Sequence, residues 1–331
     1  MNRNVIWGIL GTGDIARQMA EDLRLVPHAE LRAVASRTPD RADSFGNTHQ
    51  IPVRYGRYED LAADPSIDLI YVATPHPRHC DDTLLCLGQG KAVLCEKPLA
   101  MNLGEVDRMI AAAEAADRFL MEALWTAFFP AMIALRRDLA KGAIGAPLLL
   151  TASFCYRANP DPAGRLFNPA LGGGALLDIG IYTVALADMV FGEEPESIHT
   201  AWTPAPTGVD ESAAIILEYG GGRRAVLSTS LAYGAPQEAV IAGERGTIRI
   251  PHGFSQPDRY IVEADGPPRE SCFPREGYGY HLEARAVTEC VAAGAVACET
   301  VPWAMSRRII KTLDQIRAQW GLEYPADRPA S

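Results

Sequence analysis

Positive charge is the scarce kind in this chain: 31 lysines and arginines face 41 aspartates and glutamates, a formal net charge of −10 over 331 residues. A nucleic-acid partner would require a basic stripe, and none is present, so that class of function is set aside. No run approaches the roughly 18 uncharged apolar residues that a membrane helix needs, so no membrane partner is expected. The seven cysteines are scattered, with Cys80 and Cys86 six apart and no Cys-x-x-Cys or Cys/His ligand spacing. The expectation is reduced thiols packed as small apolar residues, and no bound metal. The first residues look like the start of a secretory signal, but their apolar part is short and runs straight into a glycine pattern. They are read as a buried first strand, and the chain is expected to stay in the cytoplasm.

What is present suits a globular enzyme. The apolar fraction is 48% and the length suggests two domains. Apolar strands at residues 4–10, 31–36, 68–74, 92–95 and 119–125 alternate with helical spacing at 14–25, 41–48, 81–90 and 103–116. Near-continuous apolar strands in a βαβα rhythm predict a parallel sheet covered on both faces, a doubly wound domain over residues 1–124. The rhythm then changes. Helices are expected at 131–141, 174–190, 279–293 and 303–320, with strands at 148–156, 197–202, 213–219, 224–232, 239–242 and 247–250. Strands in series argue for a mostly antiparallel sheet, so residues 125–331 are expected to form an α+β domain.

Gly11-Thr12-Gly13-Asp14-Ile15-Ala16 follows the first strand and opens the first helix, the context that turns a glycine pattern into a dinucleotide cradle. Gly11 permits the turn, Gly13 lets backbone approach a pyrophosphate, and the helix N-terminus favours its charge. At the end of the second strand, an acidic residue would grip the ribose 2′-hydroxyl of NAD. This chain has Ser36-Arg37-Thr38 there, with Arg41 one turn on, a pattern that favours a 2′-phosphate and hence NADP(H) over NAD(H).

Two further stretches carry chemistry. Val93-Leu-Cys-Glu96-Lys97-Pro98 ends a buried strand with a lysine restrained by proline, at the edge where parallel sheets bind ligands. Gly172–Tyr182 places Asp178 and Tyr182 four apart, on one face of a helix apolar almost all round. A buried carboxylate needs a partner, and Lys97 is nominated. A phenol of ordinary pKa is about one part in a thousand ionised at pH 7. An ammonium about 4 Å away supplies on the order of 4 kcal/mol at an effective dielectric near 20. Lowering the pKa by about two units needs only about 2.7 kcal/mol, so Lys97 can make Tyr182 a base, with Asp178 orienting the lysine or a substrate hydroxyl. Thr74, Pro75, His76 and His79 follow the third strand at the same edge, where a histidine either meets the nicotinamide ribose or caps the next helix. Glu96 either pairs with Lys97 or braces the loop. Trp125, Phe128, Phe129 and Phe154 either form an aromatic wall or pack in the core.

Taken together, residues 8–16, Ser36–Thr38, Glu96–Pro98, Met121–Pro130 and Gly172–Tyr182 resemble the glucose–fructose oxidoreductase/inositol dehydrogenase family over essentially the full length. Within it, they are most similar to the branch of dimeric dihydrodiol dehydrogenases and NADP-dependent D-xylose dehydrogenases. The resemblance implies catalytic roles for Lys97 and Tyr182 with support from Asp178, and substrate contacts near Trp125 and Phe154. It implies a homodimer formed through the open face of the second sheet. Many members carry histidine where this chain has Tyr182, and tyrosine fits the named branch. The expected activity is hydride transfer between a hydroxyl of a sugar or cyclic diol and NADP. Two alternatives stand beside it: a reductase of a ketosugar such as anhydrofructose, and a nucleotide-sensing regulator that has lost catalysis. Retention of Lys97, Asp178 and Tyr182 together argues against the second.

Overall fold

The computed structural model describes residues 4–327. Two compact units emerge. The first runs to Trp125 and takes in Arg275–Ser306; the second is Thr126–Pro274 with the chain from Arg307 on.

The first unit is built from β1 (Val5–Leu10), α1 (Asp14–Asp22), β2 (Ala29–Ala35), α2 (Pro39–His49), β3 (Val53–Tyr55), α3 (Tyr58–Ala63), β4 (Leu69–Val72), α4 (His79–Gly88), β5 (Ala92–Glu96), α5 (Leu103–Ala116) and β6 (Leu120–Ala123). Its six strands are parallel and ordered β3-β2-β1-β4-β5-β6, so the order reverses beside β1. Every residue of β1, β4, β5 and β6 is buried, as strands covered on both faces require. The strand expected at the start of the chain is therefore present. At the start of α5 the Asn102 side chain accepts the Glu105 N–H at 2.9 Å, and Asp117, with φ +49°, closes its end.

The second unit begins with α6 (Pro130–Ala140) and β7 (Pro147–Cys155). A long helix follows, wound as a π-helix over Leu176–Gly180 and continuing as α7 (Ile181–Phe191). Then come β8 (Ser197–Pro204), β9 (Asp210–Tyr219), β10 (Arg223–Ser230), β11 (Ala239–Gly243), β12 (Gly246–Ile250), β13 (Arg259–Glu263) and β14 (Arg269–Cys272). The eight strands lie in the order β14-β13-β12-β11-β7-β10-β9-β8, antiparallel except where β10 runs beside β7. In β9 burial alternates, with Ile215 and Leu217 inside and Ala214 and Ile216 exposed, the signature of a sheet with one open face. An 18-residue window of the stretch Pro169–Phe191 has a mean hydropathy of 1.6, long and apolar enough by composition to cross a membrane. Of that window 83% is buried within the protein, as in the core helix of a globular fold. Of the cysteines, all free, Cys272 is exposed and does not pack in the core as expected, while Cys80, Cys86, Cys95, Cys155 and Cys298 are buried.

The chain's return to the first unit differs from the expected single boundary near residue 124. Helix α8 (Tyr280–Ala292) begins on the buried carboxylate of Asp22, which accepts N–H groups from Tyr278 at 3.0 Å, Gly279 at 2.8 Å and His281 at 3.3 Å. A carboxylate at a helix N-terminus satisfies donors that the helix itself leaves open. Beyond α8, Leu120 N donates to Val296 O at 3.1 Å, and Trp303, the first residue of α9 (Trp303–Trp320), donates its indole N–H to Leu120 O at 2.8 Å. These bonds hold Arg275–Ser306 on the parallel sheet.

Candidate active site

The nucleotide edge is shaped by backbone before side chains. Gly11 has φ +112°, and a Cβ there would lie 2.5 Å from the Ala73 carbonyl oxygen, so only glycine passes between the ends of β1 and β4. Gly13 immediately precedes α1. A Cβ on it would meet nothing within 4 Å, and no side chain caps the helix. The space before α1 is thus open where a side chain would begin to fill it, which leaves room for a pyrophosphate; the cradle fits a dinucleotide. Asp14 turns its carboxylate to Arg17 and Gln18, both at 2.9 Å, while Ile15 is half-buried. Thr12 Oγ1 lies 3.2 Å from Ser36 Oγ, tying the glycine turn to the end of β2. There Arg37, Thr38 and Arg41 are exposed. Burial and the charge of Asp82 push the Tyr58 phenol up; Arg37, Arg78 and Arg41 pull against them, so three guanidiniums act on one ring.

The Lys97 turn is pinned from several sides. Glu96 is buried; it accepts the Tyr71 hydroxyl through Oε1 and the Lys97 N–H through Oε2 at 3.1 Å. Burial holds its carboxyl above the ordinary range despite the pull of Lys97. Glu122, also buried, accepts the Leu99 N–H at 2.9 Å. The Lys97–Pro98 peptide is cis, and Lys97 itself is half-buried. Both Glu96 carboxyl oxygens are thus engaged by the protein, which favours the loop-bracing alternative. His79 is held as firmly. It is fully buried, with Nδ1 2.7 Å from Pro98 O and Nε2 2.8 Å from Thr74 O, so the ring clamps the end of β4 to the lysine turn. A neutral imidazole donates to only one of these carbonyls, and burial holds the ring's pKa below its usual value. Thr74 Oγ1 donates to buried Asp82 at 2.8 Å; Pro75 is exposed and His76 half-buried at the same edge. Trp125 stacks on Tyr280 with centroids 4.4 Å apart, whereas Phe128 and Phe129 are buried and belong to the core.

In the second unit, the helix carrying Asp178 and Tyr182 starts on Asp210. Gly174 has φ +119°, and a Cβ there would fall 2.2 Å from Asp210 Oδ1. The glycine lets Asp210 Oδ2 accept the Leu176 N–H at 2.6 Å. Asp178 lies in the π-wound segment, a feature often found at functional sites, and Tyr182 in the first turn of α7; both are buried. The sequence nominated Lys97 as the partner of Asp178. Within this unit Arg165 also pairs with it, Nη1 lying 2.7 Å from Oδ1 and Nη2 3.5 Å from Oδ2. Sequence reasoning missed Arg165 because it stands in a Pro/Gly/Asp-rich loop without periodicity; the available signal was an acidic residue in an apolar helix that needs a countercharge. Phe154, at the end of β7, lies 5.7 Å from the Tyr182 ring, with Phe254 at 6.1 Å and Tyr156 at 6.5 Å from Phe154. A phenol, a paired carboxylate and an aromatic surface thus share one side of the unit.

A glycine-turn cradle on a doubly wound sheet, followed in the same chain by an acid–tyrosine helix on an open sheet, defines a nicotinamide-dependent dehydrogenase. Comparison with known proteins agrees. Residues 5–124 match the oxidoreductase family with an NAD-binding Rossmann fold, and residues 132–249 match the GFO/IDH/MocA C-terminal domain. The trans-1,2-dihydrobenzene-1,2-diol dehydrogenase of Xenopus tropicalis is 40% identical over 96% of this chain and 99% of its own. The human protein of that name is 37% identical over 97% and 98%. Among solved structures, aldose–aldose oxidoreductase from Caulobacter crescentus, complexed with glycerol, has a TM-score of 0.87 at 25% identity, covering 97% of this chain and 99% of that one. KijD10, a 3-ketoreductase from Actinomadura kijaniata in complex with TDP-benzene and NADP, has a TM-score of 0.83 at 25% identity over 95% and 97%. The chain belongs to the Gfo/Idh/MocA family of oxidoreductases, and it is an NAD(P)-dependent dehydrogenase acting on hydroxyl donors.

Proposed function

We propose that the protein oxidises a carbinol carbon of a cyclic trans-diol or a D-xylose-like aldose with NADP, Tyr182 acting as general base and Lys97 lowering its pKa. The observation that carries this is the helix in which Tyr182 stands one turn after a guanidinium-paired Asp178, beside the ring of Phe154. The names of the full-length relatives support the diol, and that of the Caulobacter structure supports the sugar.

Gly11, Gly13 and the N-terminus of α1 would hold the pyrophosphate, and the nicotinamide, when bound, accepts the hydride. The chain's own residues do the rest. Tyr182 takes the hydroxyl proton as the carbon is oxidised, and the Lys97 ammonium favours the phenolate. Asp178 orients a substrate hydroxyl, while Phe154 offers an apolar face to the ring that bears it. Run in reverse, Tyr182 donates the proton to a ketone, the direction in the name of KijD10. Support for NADP comes from Ser36, Arg37 and Arg41 where an NAD enzyme would place a carboxylate, with Arg78 acting on the same Tyr58 ring. The exposed Leu149, Ile216 and Val226 support pairing of two copies through the open sheet face, since Val226 lies opposite Ile216 in the ladder.

The test is formation of NADPH or NADH by purified protein offered NADP⁺ or NAD⁺ respectively, with trans-dihydrobenzenediol, D-xylose and inositols. Turnover of a diol or aldose with a tenfold or larger preference for NADP⁺ is the expected result. Cofactor binding without turnover of any polyol would leave a sensor rather than an enzyme, and equal Michaelis constants for the two cofactors would remove the role given to Arg37.

A further inference from the structure

We propose that Arg165 is a positioning residue of the acid–base centre: its guanidinium cancels the Asp178 charge beside the Tyr182 phenol and so keeps that phenol usable as a base near neutral pH. The proposal rests on the role given to Tyr182 above and deepens it.

The difficulty it resolves is electrostatic. Residues four apart on a helix are neighbours, about 5–6 Å between Cβ atoms. A carboxylate at that range opposes ionisation of a phenol and raises its pKa. Asp178 is buried, so solvent does little to screen it. Left alone it would work against the base.

Arg165 removes the conflict by geometry. It follows a tight turn in which Gly164 N donates to Asp161 O at 3.0 Å and Asp161 Oδ1 accepts the Ala163 N–H at 3.0 Å. The turn delivers the guanidinium to both carboxylate oxygens, at 2.7 Å and 3.5 Å, a fork that fixes orientation as well as charge. Protein crowding alone would weaken its hold on its proton, yet 59% of the side-chain surface still meets solvent. Attraction to Asp178, and further to the Tyr156 and Tyr182 oxygens, leaves the guanidinium's pKa raised. Arg165 is thus placed to favour a phenolate at Tyr182.

Other groups packed on this helix within the second unit have separate tasks, and Lys97, in the proposed function, acts on the phenol itself. Tyr156, at the end of β7, is itself raised by burial and by Asp178, with Arg165 pulling it down. Asp210, from β9, is engaged with the Leu176 N–H at the helix start. Thr229, from β10, is uncharged, and Arg136, from α6, acts on Asp188, further along α7.

The experiment compares pH profiles of kcat/KM for alcohol oxidation in the native protein, Arg165→Met, Arg165→Lys, Asp178→Asn and the Arg165→Met/Asp178→Asn double variant, with Tyr182→Phe run beside them. Removing Arg165 is expected to move the acidic limb up by about one pH unit or more. The rate then falls about tenfold at pH 7 and recovers at alkaline pH. Arg165→Lys restores at least half of the displacement, and in the Asp178→Asn background the loss of Arg165 no longer moves the limb. A pH-independent loss in Arg165→Met, or the same displacement without Asp178, would overturn the proposal while leaving Tyr182 as base. Turnover retained by Tyr182→Phe would instead overturn the role of Tyr182, and the proposal with it.

Discussion

Glu96, Glu122 and Glu283 of the first unit and Asp178 of the second are all buried carboxyl groups, held by different means. Glu96 and Glu122 accept backbone N–H groups of the Lys97 turn, and Glu96 also takes the Tyr71 hydroxyl. Glu283, on α8, has both oxygens buried without a hydrogen-bond partner among the described residues, and burial followed by repulsion from Glu96 pushes its carboxyl well above the usual range. Asp178 instead receives a guanidinium that is more than half exposed. Desolvation is met by partial neutralisation in one region and by ion pairing in the other. The first arrangement makes a rigid seat for the lysine turn. The second keeps a charge on the helix that carries Tyr182.

One way to break this contrast is at Glu96. Glu96→Ala leaves the Tyr71 hydroxyl and the Lys97 N–H without their acceptor, at a cost of roughly 3 kcal/mol in urea unfolding. Glu96→Gln, whose amide oxygen still accepts, costs less; equal stability of all three proteins would show that the brace carries no weight.

Next comes Glu283. A carboxyl whose folded pKa lies above its unfolded value of 4.5 adds stability that is complete below that value and is lost as pH rises through the folded pKa. Glu283→Gln removes the titration, so above pH 4.5 the native protein should lose stability relative to the variant by up to about 1.4 kcal/mol per pH unit. Parallel stability–pH curves for the two proteins would contradict this.

Asp210 gives an effect with a defined end. Burial pushes its carboxyl from 3.8 to about 7, against the Leu176 N–H that lowers it. Its stabilising contribution should fade between about pH 4 and 7 and change little beyond. Asp210→Asn, which still offers an oxygen to Leu176, should flatten that window in thermal unfolding. A window lying below pH 4 would place the carboxyl in its ordinary range.

The same contrast shows what a sequence makes legible. Strands such as Val5–Leu10 and Ala92–Glu96 announce themselves because burial on both faces demands an unbroken apolar run. β3, with three half-buried residues, and β13, which reads Arg-Tyr-Ile-Val-Glu, carry too little pattern to stand out from a loop. The return of α8 to the first unit depends on Asp22 meeting Tyr278 and Gly279 across most of the chain, which no local window contains. The Gly11–Ala16, Glu96–Pro98 and Asp178–Tyr182 motifs were visible because glycine, proline and an acid in an apolar helix are locally anomalous. Arg165 and the clamp made by His79 were not, since both act through partners brought near by folding.

The most direct measurement is single-turnover hydride transfer from trans-dihydrobenzenediol to NADP⁺ by the native protein and by Tyr182→Phe, with NADPH affinity measured in both by fluorescence. Loss of transfer by about 10³-fold or more in the variant, with NADPH binding unchanged, is the predicted result. Comparable transfer in the two proteins would contradict Tyr182 as the acid–base group.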